Sequence, residues 1–270
     1  SSRRSGLAAG LITTTLLIAT AAAGADKKYD SGASDTEIKI GQTIPHSGPG
    51  SLYGVLGRVG EAYFQMLNEK GGINGRKVKF FTMDDAYSPP KTVEMVRQMV
   101  EQDKIFALFQ SLGTPCNTAI HKYMNTKKVP QLYVATGASK WGDPQHFPWT
   151  MGWQPTYQAE GRIYGKYLLQ TKPDAKIAVI YQNDDYGKDY LKGFKDGLGS
   201  KAATMIAAEE SYDVTEPTID SHIVKLKTTG ADTVFTIATP KFAAQTIRNS
   251  DGGRLRRRLV ALRRDADVHP

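Results

Sequence analysis

Short apolar runs that alternate with helix-length amphipathic segments constrain this chain more than any other feature. Residues 37–43 (EIKIGQT) alternate like a strand. Residues 52–70 then place Leu52, Val55, Leu56, Val59, Tyr63, Met66 and Leu67 at helical spacing. Gly71-Gly72 stops that helix, and Asn74-Gly75 predicts a tight turn. Residues 78–83 read as a strand. Ser88-Pro89 opens a helix to about residue 102, since Ser can cap and Pro suits the first turn. Residues 105–109 and 131–134 are short apolar runs of buried parallel strands, with a helix over 114–125 between them. The pattern then restarts. Helices are predicted over 157–170, 187–198, 216–228 and 240–248, and strands over 176–181 (KIAVIY), 204–211 and 233–238 (TVFTIA). The fold class implied is α/β, with two doubly wound parallel-sheet lobes. Residues 140–156, rich in Trp, Pro and Gly, lack periodicity and read as the link between lobes.

The two ends differ from this body. Residues 1–25 place Arg3 and Arg4 before an uncharged stretch ending Ala23-Gly24-Ala25, the pattern of a secretory signal peptide cleaved near Asp26. A polar linker follows over 26–35. The formal net charge is +8, but Arg3, Arg4 and a tail with six Arg against three Asp carry most of it, which leaves +3 on the body. A nucleic-acid partner is therefore discounted. The organisation expected is a signal peptide (1–25), a linker (26–35), an N-terminal lobe (36–154), a partial C-terminal lobe (155–249) and an aberrant basic tail (250–270).

Catalytic signatures are missing. There is no His-Glu-x-x-His and no Gly-x-Ser-x-Gly, and the five His are scattered. The single Cys116 allows no intrachain disulfide and no cysteine-rich zinc site, and reads as a small buried residue beside a helix start. Gly161 and Gly165 before Lys166 imitate a phosphate loop with one residue too few, inside a helical pattern. Asp84-Asp85 and Asp184-Asp185 are expected to be solvated loop carboxylates or helix caps. No catalytic residue, metal or cofactor is expected. In two α/β lobes a small ligand binds outside the carboxyl ends of the strands, near helix N-termini that favour anions. That directs attention to the loops 45–53, 110–115, 135–140 and 183–187.

At these loops the sequence resembles the branched-chain amino acid binding family of periplasmic proteins, which has the type I periplasmic fold. The segments that carry the likeness are 38–54 (IKIGQTIPHSGPGSLYG), 68–78 (NEKGGINGRKV), 84–115, 129–139 (VPQLYVATGAS) and 183–198 (NDDYGKDYLKGFKDGL), and it extends over about 34–248. The resemblance implies a ligand held between two hinged lobes. Ser111, Leu112, Gly113 and Thr114, with Ala138 and Ser139, would meet the ligand carboxylate through backbone N–H groups and hydroxyls. Leu112 and Gly113 stand where the family usually has hydroxyls. Tyr53 would line the pocket from the first lobe and Tyr186 would close over it from the second.

The function so implied is the solute-binding component of an ABC importer in the periplasm. It would act as a monomer that captures an amino acid or similar small carboxylate and docks on a membrane permease. A ligand-sensing receptor domain of the same fold is the alternative. The family pattern stops after about Arg248, where an Arg-only tail replaces the Lys-rich body, as a frameshifted or chimeric reading frame would give. On that expectation the chain carries only the first-lobe half of a ligand site and binds weakly or not at all.

Overall fold

The computed structural model describes residues 28–250 and 259–261. The expected signal peptide and most of the basic tail lie outside the described residues. The first lobe begins with β1 (Glu37–Ile44) and a short 3-10 turn (Gly48–Tyr53), which leads into α1 (Gly54–Glu69). Then come β2 (Lys77–Asp84), α2 (Pro89–Gln98), β3 (Ala107–Phe109), α3 (Thr114–Lys127), β4 (Gln131–Val134) and β5 (Thr150–Gly152). All five strands are parallel, in the order β2-β1-β3-β4-β5. The segment read as a bare link thus contributes β5 to the first sheet, because Gln131 N–H bonds the Trp149 carbonyl and draws the strand in at 2.7 Å.

The second lobe holds α4 (Tyr157–Thr171), β6 (Ile177–Gln182), α5 (Asp185–Leu198), α6 (Ala202–Met205), β7 (Ile206–Tyr212), α7 (Asp220–Thr228), β8 (Thr233–Ile237) and α8 (Pro240–Ser250). Its sheet is also parallel, in the order β7-β6-β8-β9, where β9 is Leu259–Ala261. The three residues of β9 are an apolar break in the arginine-rich tail, and they pair with β8 rather than standing apart.

Strand alternation sorts the second core into two faces. Ile177, Val179, Phe235 and Ile237 pack under α4 and α5, while Ala178, Ile180 and Val234 pack against α7 and Phe242. Ile177, Val179 and Ile180 are fully buried, and each such side chain contributes about 1.5–3 kcal/mol. In the first lobe Leu108 joins Val96, Met99, Ile120 and Met124 on one face. Phe109 turns to the other, where its ring meets Phe64.

The turn signals read as expected in most places. Asn74 and Gly75 have positive φ, and Ile73 and Arg76 exchange both backbone hydrogen bonds across them. Ser88 differs: α2 starts behind it, but its side chain makes no capping bond. The α1 stripe differs more. Leu52, Val55, Leu56, Val59, Tyr63 and Met66 are all exposed. The helix instead turns Gly54, Gly57 and Phe64 inward. A Cβ on Gly57 would lie 2.9 Å from Ile44 and from Thr82, so the glycine edge lets the helix sit directly on the sheet.

Candidate functional site

The carboxyl ends of both sheets face each other. On the first lobe, the loop after β3 crosses to α3 through Gly113, whose φ of +103° suits glycine. Ser111 is buried; its Oγ accepts the Thr43 N–H at 2.9 Å and its carbonyl accepts Asn117 Nδ2 at 2.8 Å. Leu112 is buried and donates its N–H to the Thr43 carbonyl. Thr114 is buried with its hydroxyl 2.6 Å from that of Thr136. The Thr136 oxygen also accepts from the Ala138 N–H and from Trp141 Nε1. With both lone pairs used, Thr136 donates to Thr114, and the Thr114 proton is not used in this pair.

The backbone donors implied by the resemblance are engaged. Ala138 N–H serves Thr136, and Ser139 N–H donates to Asp189 Oδ2 of α5 at 2.7 Å. A second-lobe carboxylate therefore occupies the exposed Ser139 amide. Lys140 reinforces this clasp, with Nζ 2.7 Å from Asp185 Oδ2 and 3.2 Å from Thr118 Oγ1.

The two tyrosines expected in the site come from opposite lobes. Tyr53 is half-buried at the end of the 3-10 turn and packs on Ile44, Tyr87, Leu112 and Cys116. Val214 of the second lobe joins the same cluster. Tyr186 packs edge-on to Tyr157 and Tyr190 and donates its hydroxyl to the Ala238 carbonyl at 3.4 Å. Its phenol is held well above the usual 10, by burial first and then by neighbouring tyrosines including Tyr53.

Sequence reasoning missed the residues that join the lobes. Tyr87 is buried, and its hydroxyl accepts a hydrogen bond from Gln182 Nε2 at 3.3 Å. Gln182 ends β6 and also donates to Asp184 Oδ2 at 2.6 Å. Its carbonyl accepts from the Tyr212 hydroxyl, which in turn accepts the Thr239 N–H at 3.1 Å. A buried Gln closing an apolar strand was the available signal. Nothing in the sequence marked Tyr87, whose place depends on two consecutive left-handed residues, Ala86 and Tyr87.

The acidic pairs divide by environment. Asp184 caps α5, accepting from the Tyr186 and Gly187 N–H groups, as a helix cap should. Asp84 accepts from the N–H groups of His46, Ser47 and Ala86. Asp85 corrects the expectation of a solvated carboxylate: it is fully buried, and accepts from Tyr87 N–H and Thr92 Oγ1. Burial raises its pKa, and burial likewise raises that of Asp184. Cys116 is buried as expected, and burial followed by the nearby Asp85 pushes its thiol far up, which makes it a poor nucleophile. A groove of about 290 Å³ opens beside this network, lined by Thr114, Pro115, Thr118, Ala119, Asp184 and Asp185. Among the described residues no cluster of His, Cys, Asp and Glu is arranged to hold a metal.

Comparison with known proteins agrees with this geometry. A family model described as periplasmic binding protein matches residues 37–251. The Leu/Ile/Val-binding protein homolog 1 of Brucella abortus strain 2308 is 26% identical over 211 residues, covering 76% of this chain and 54% of that protein. A substrate-binding periplasmic protein from Ralstonia solanacearum superposes with a TM-score of 0.70 at 29% identity, covering 78% of this chain and 59% of that one. A fatty acid ABC transporter substrate-binding protein from Thermomonospora curvata shares the fold with a TM-score of 0.75 at 20% identity, covering 87% of this chain and 59% of that one. The chain spans about half the length of the curated relatives it matches.

Proposed function

Because the chain belongs to the periplasmic binding protein family, a family of solute-binding proteins rather than enzymes, we propose that it captures an amino acid or similar small carboxylate between its two lobes. In this reading it is the periplasmic component of an ABC importer and hands the solute to a membrane permease. The observation that supports it best is the meeting of polar groups from both sheet ends. Thr114 opens α3 with a hydroxyl proton to give, and Tyr87 reaches Gln182 across the lobes. The α3 N-terminus adds partial positive charge at the same point. Ser111, Leu112, Gly113, Ala138 and Ser139 shape the first-lobe wall, and Tyr53 and Tyr186 supply aromatic walls from opposite sides. Ala138 and Ser139 amides become ligand donors once Thr136 and Asp189 yield them. Relatives named as Leu/Ile/Val-binding proteins make branched-chain amino acids the first solutes to try.

Ligand binding that bridges two lobes favours the closed form by its differential affinity, and needs no bond chemistry. The second lobe lines the groove with Asp184 and Asp185, and in this reading it shares in holding the solute. Isothermal titration with leucine, isoleucine, valine, benzoate and hexanoate tests the proposal. Saturable one-to-one binding of at least one acid is expected. No heat and no saturation with any of them at millimolar concentration would refute it.

A further inference from the structure

The hydrogen bonds around Gln182 have a fixed direction, and they leave one proton unused. The Asp184 carboxylate only accepts, so it fixes the amide with Nε2 toward Asp184 and Tyr87, and the carbonyl toward the Tyr212 hydroxyl. One Nε2 proton goes to Asp184 and the other to the Tyr87 oxygen. Tyr87 is therefore an acceptor in this bond, and its own phenolic proton points elsewhere. No other hydrogen bond reaches that hydroxyl among the described residues.

The ring that carries it is held in place. Tyr87 has φ +60° directly after Ala86 at +51°, a conformation that non-glycine residues adopt only when their surroundings impose it. Asp85 imposes it here, by accepting the Tyr87 N–H at 2.9 Å while Thr92 holds its other oxygen at 2.8 Å. The ring lies against Gly113, where an added Cβ would come within 2.9 Å of Tyr87 Cε2. The ring thus lies at the N-cap of α3, and the next residue, Thr114, is a wall of the 290 Å³ groove. Two hydroxyl protons, from Thr114 and Tyr87, are presented beside one helix N-terminus.

We infer that Tyr87 is a specificity-determining residue of the cleft, and that its hydroxyl donates a hydrogen bond to the carboxylate of the bound solute. This deepens the solute-binding reading and rests on it. A charged acceptor receives a stronger bond than a neutral one, so Tyr87 selects acids over the matching amides. Burial keeps its phenol protonated, and hence a donor, across the physiological range.

The test is a titration of the unmodified protein and of Tyr87→Phe with leucine, benzoate and hexanoate and with leucinamide, benzamide and hexanamide. Y87F keeps the ring on Gly113 and removes only the hydroxyl. Affinity for the acid is expected to fall about tenfold or more, and the acid-to-amide ratio to fall at least about threefold. A role confined to holding the lobes together would lower both affinities by the same factor; an unchanged ratio overturns the inference. Thermal unfolding shows whether Y87F is folded. If it is not, Tyr87→Met takes its place, because it also removes the hydroxyl while a flexible apolar side chain fills the space of the ring; the ratio is again expected to fall, and an unchanged one again overturns the inference. If the unmodified chain binds no acid of the set, the solute-binding reading falls and takes this inference with it. Binding with an unaltered ratio sinks the inference alone.

Discussion

His222 sits between two carboxylates, with Nδ1 3.0 Å from Glu210 and Nε2 3.0 Å from Glu216. Burial works against its charge, but the hydrogen bonds to Glu210 and Glu216 outweigh it and raise its pKa above the usual 6.5. A group whose folded pKa is raised stabilises the fold below its unfolded pKa. That contribution is complete below about pH 6.5 and is lost as pH rises through the raised folded value. The urea midpoint is therefore expected to be higher at pH 6 than at pH 8.5, and His222→Gln to shrink the difference; an equal difference in H222Q would show that other groups cause it. Legibility at this scale was uneven. Gly113 and Thr114 were readable because a glycine before a helix start has few other uses. Tyr87 and Gln182 were not, because their roles depend on a left-handed turn and on the opposite lobe, and neither leaves a local pattern.

Helices α4 and α5 show what spacing can and cannot say. Gly161 and Gly165 looked like a failed phosphate loop in the sequence, and the structure gives them a packing role. A Cβ on Gly161 would lie 2.4 Å from the Tyr190 carbonyl oxygen, and one on Gly193 2.1 Å from that of Gln158. The glycines of each helix let the backbone of the other approach, with Gly165 and Gly197 one turn further along. Gly193→Ala must push two helices apart and is expected to cost about 3 kcal/mol, read as a lower urea midpoint; a loss under about 0.5 kcal/mol would mean that the helices are not held this closely. The period of 3.6 was legible in both helices, but the partner was not, since a helix pattern gives a face without its neighbour. The same limit explains α1. Its apolar stripe was plain in the sequence, and the side that meets the sheet is the glycine edge.

At the scale of the whole molecule, strand–helix alternation was enough to give two parallel sheets with helices on both faces. It was not enough to find β5 or β9, each three residues long and shorter than any periodic signal. The mouth of the cleft is fastened by groups that only the assembled lobes bring together: Lys140 to Asp185, Ser139 to Asp189, and Tyr87 to Gln182. The first two are partly exposed and are worth little singly. A solute carboxylate that accepts the unused Tyr87 proton would add a charge-assisted bond to these ties without breaking the one to Gln182, and would shift the lobes toward a single closed arrangement. The most direct test of capture between the lobes is the distance between spin labels on Lys122→Cys of α3 and Lys188→Cys of α5, both exposed, with Cys116 buried and silent. Adding the acids of the panel in turn is expected to replace a broad or longer distribution with one short distance for the acid that binds. A distribution that stays the same with every acid, including any that calorimetry shows to bind, would contradict capture between the lobes.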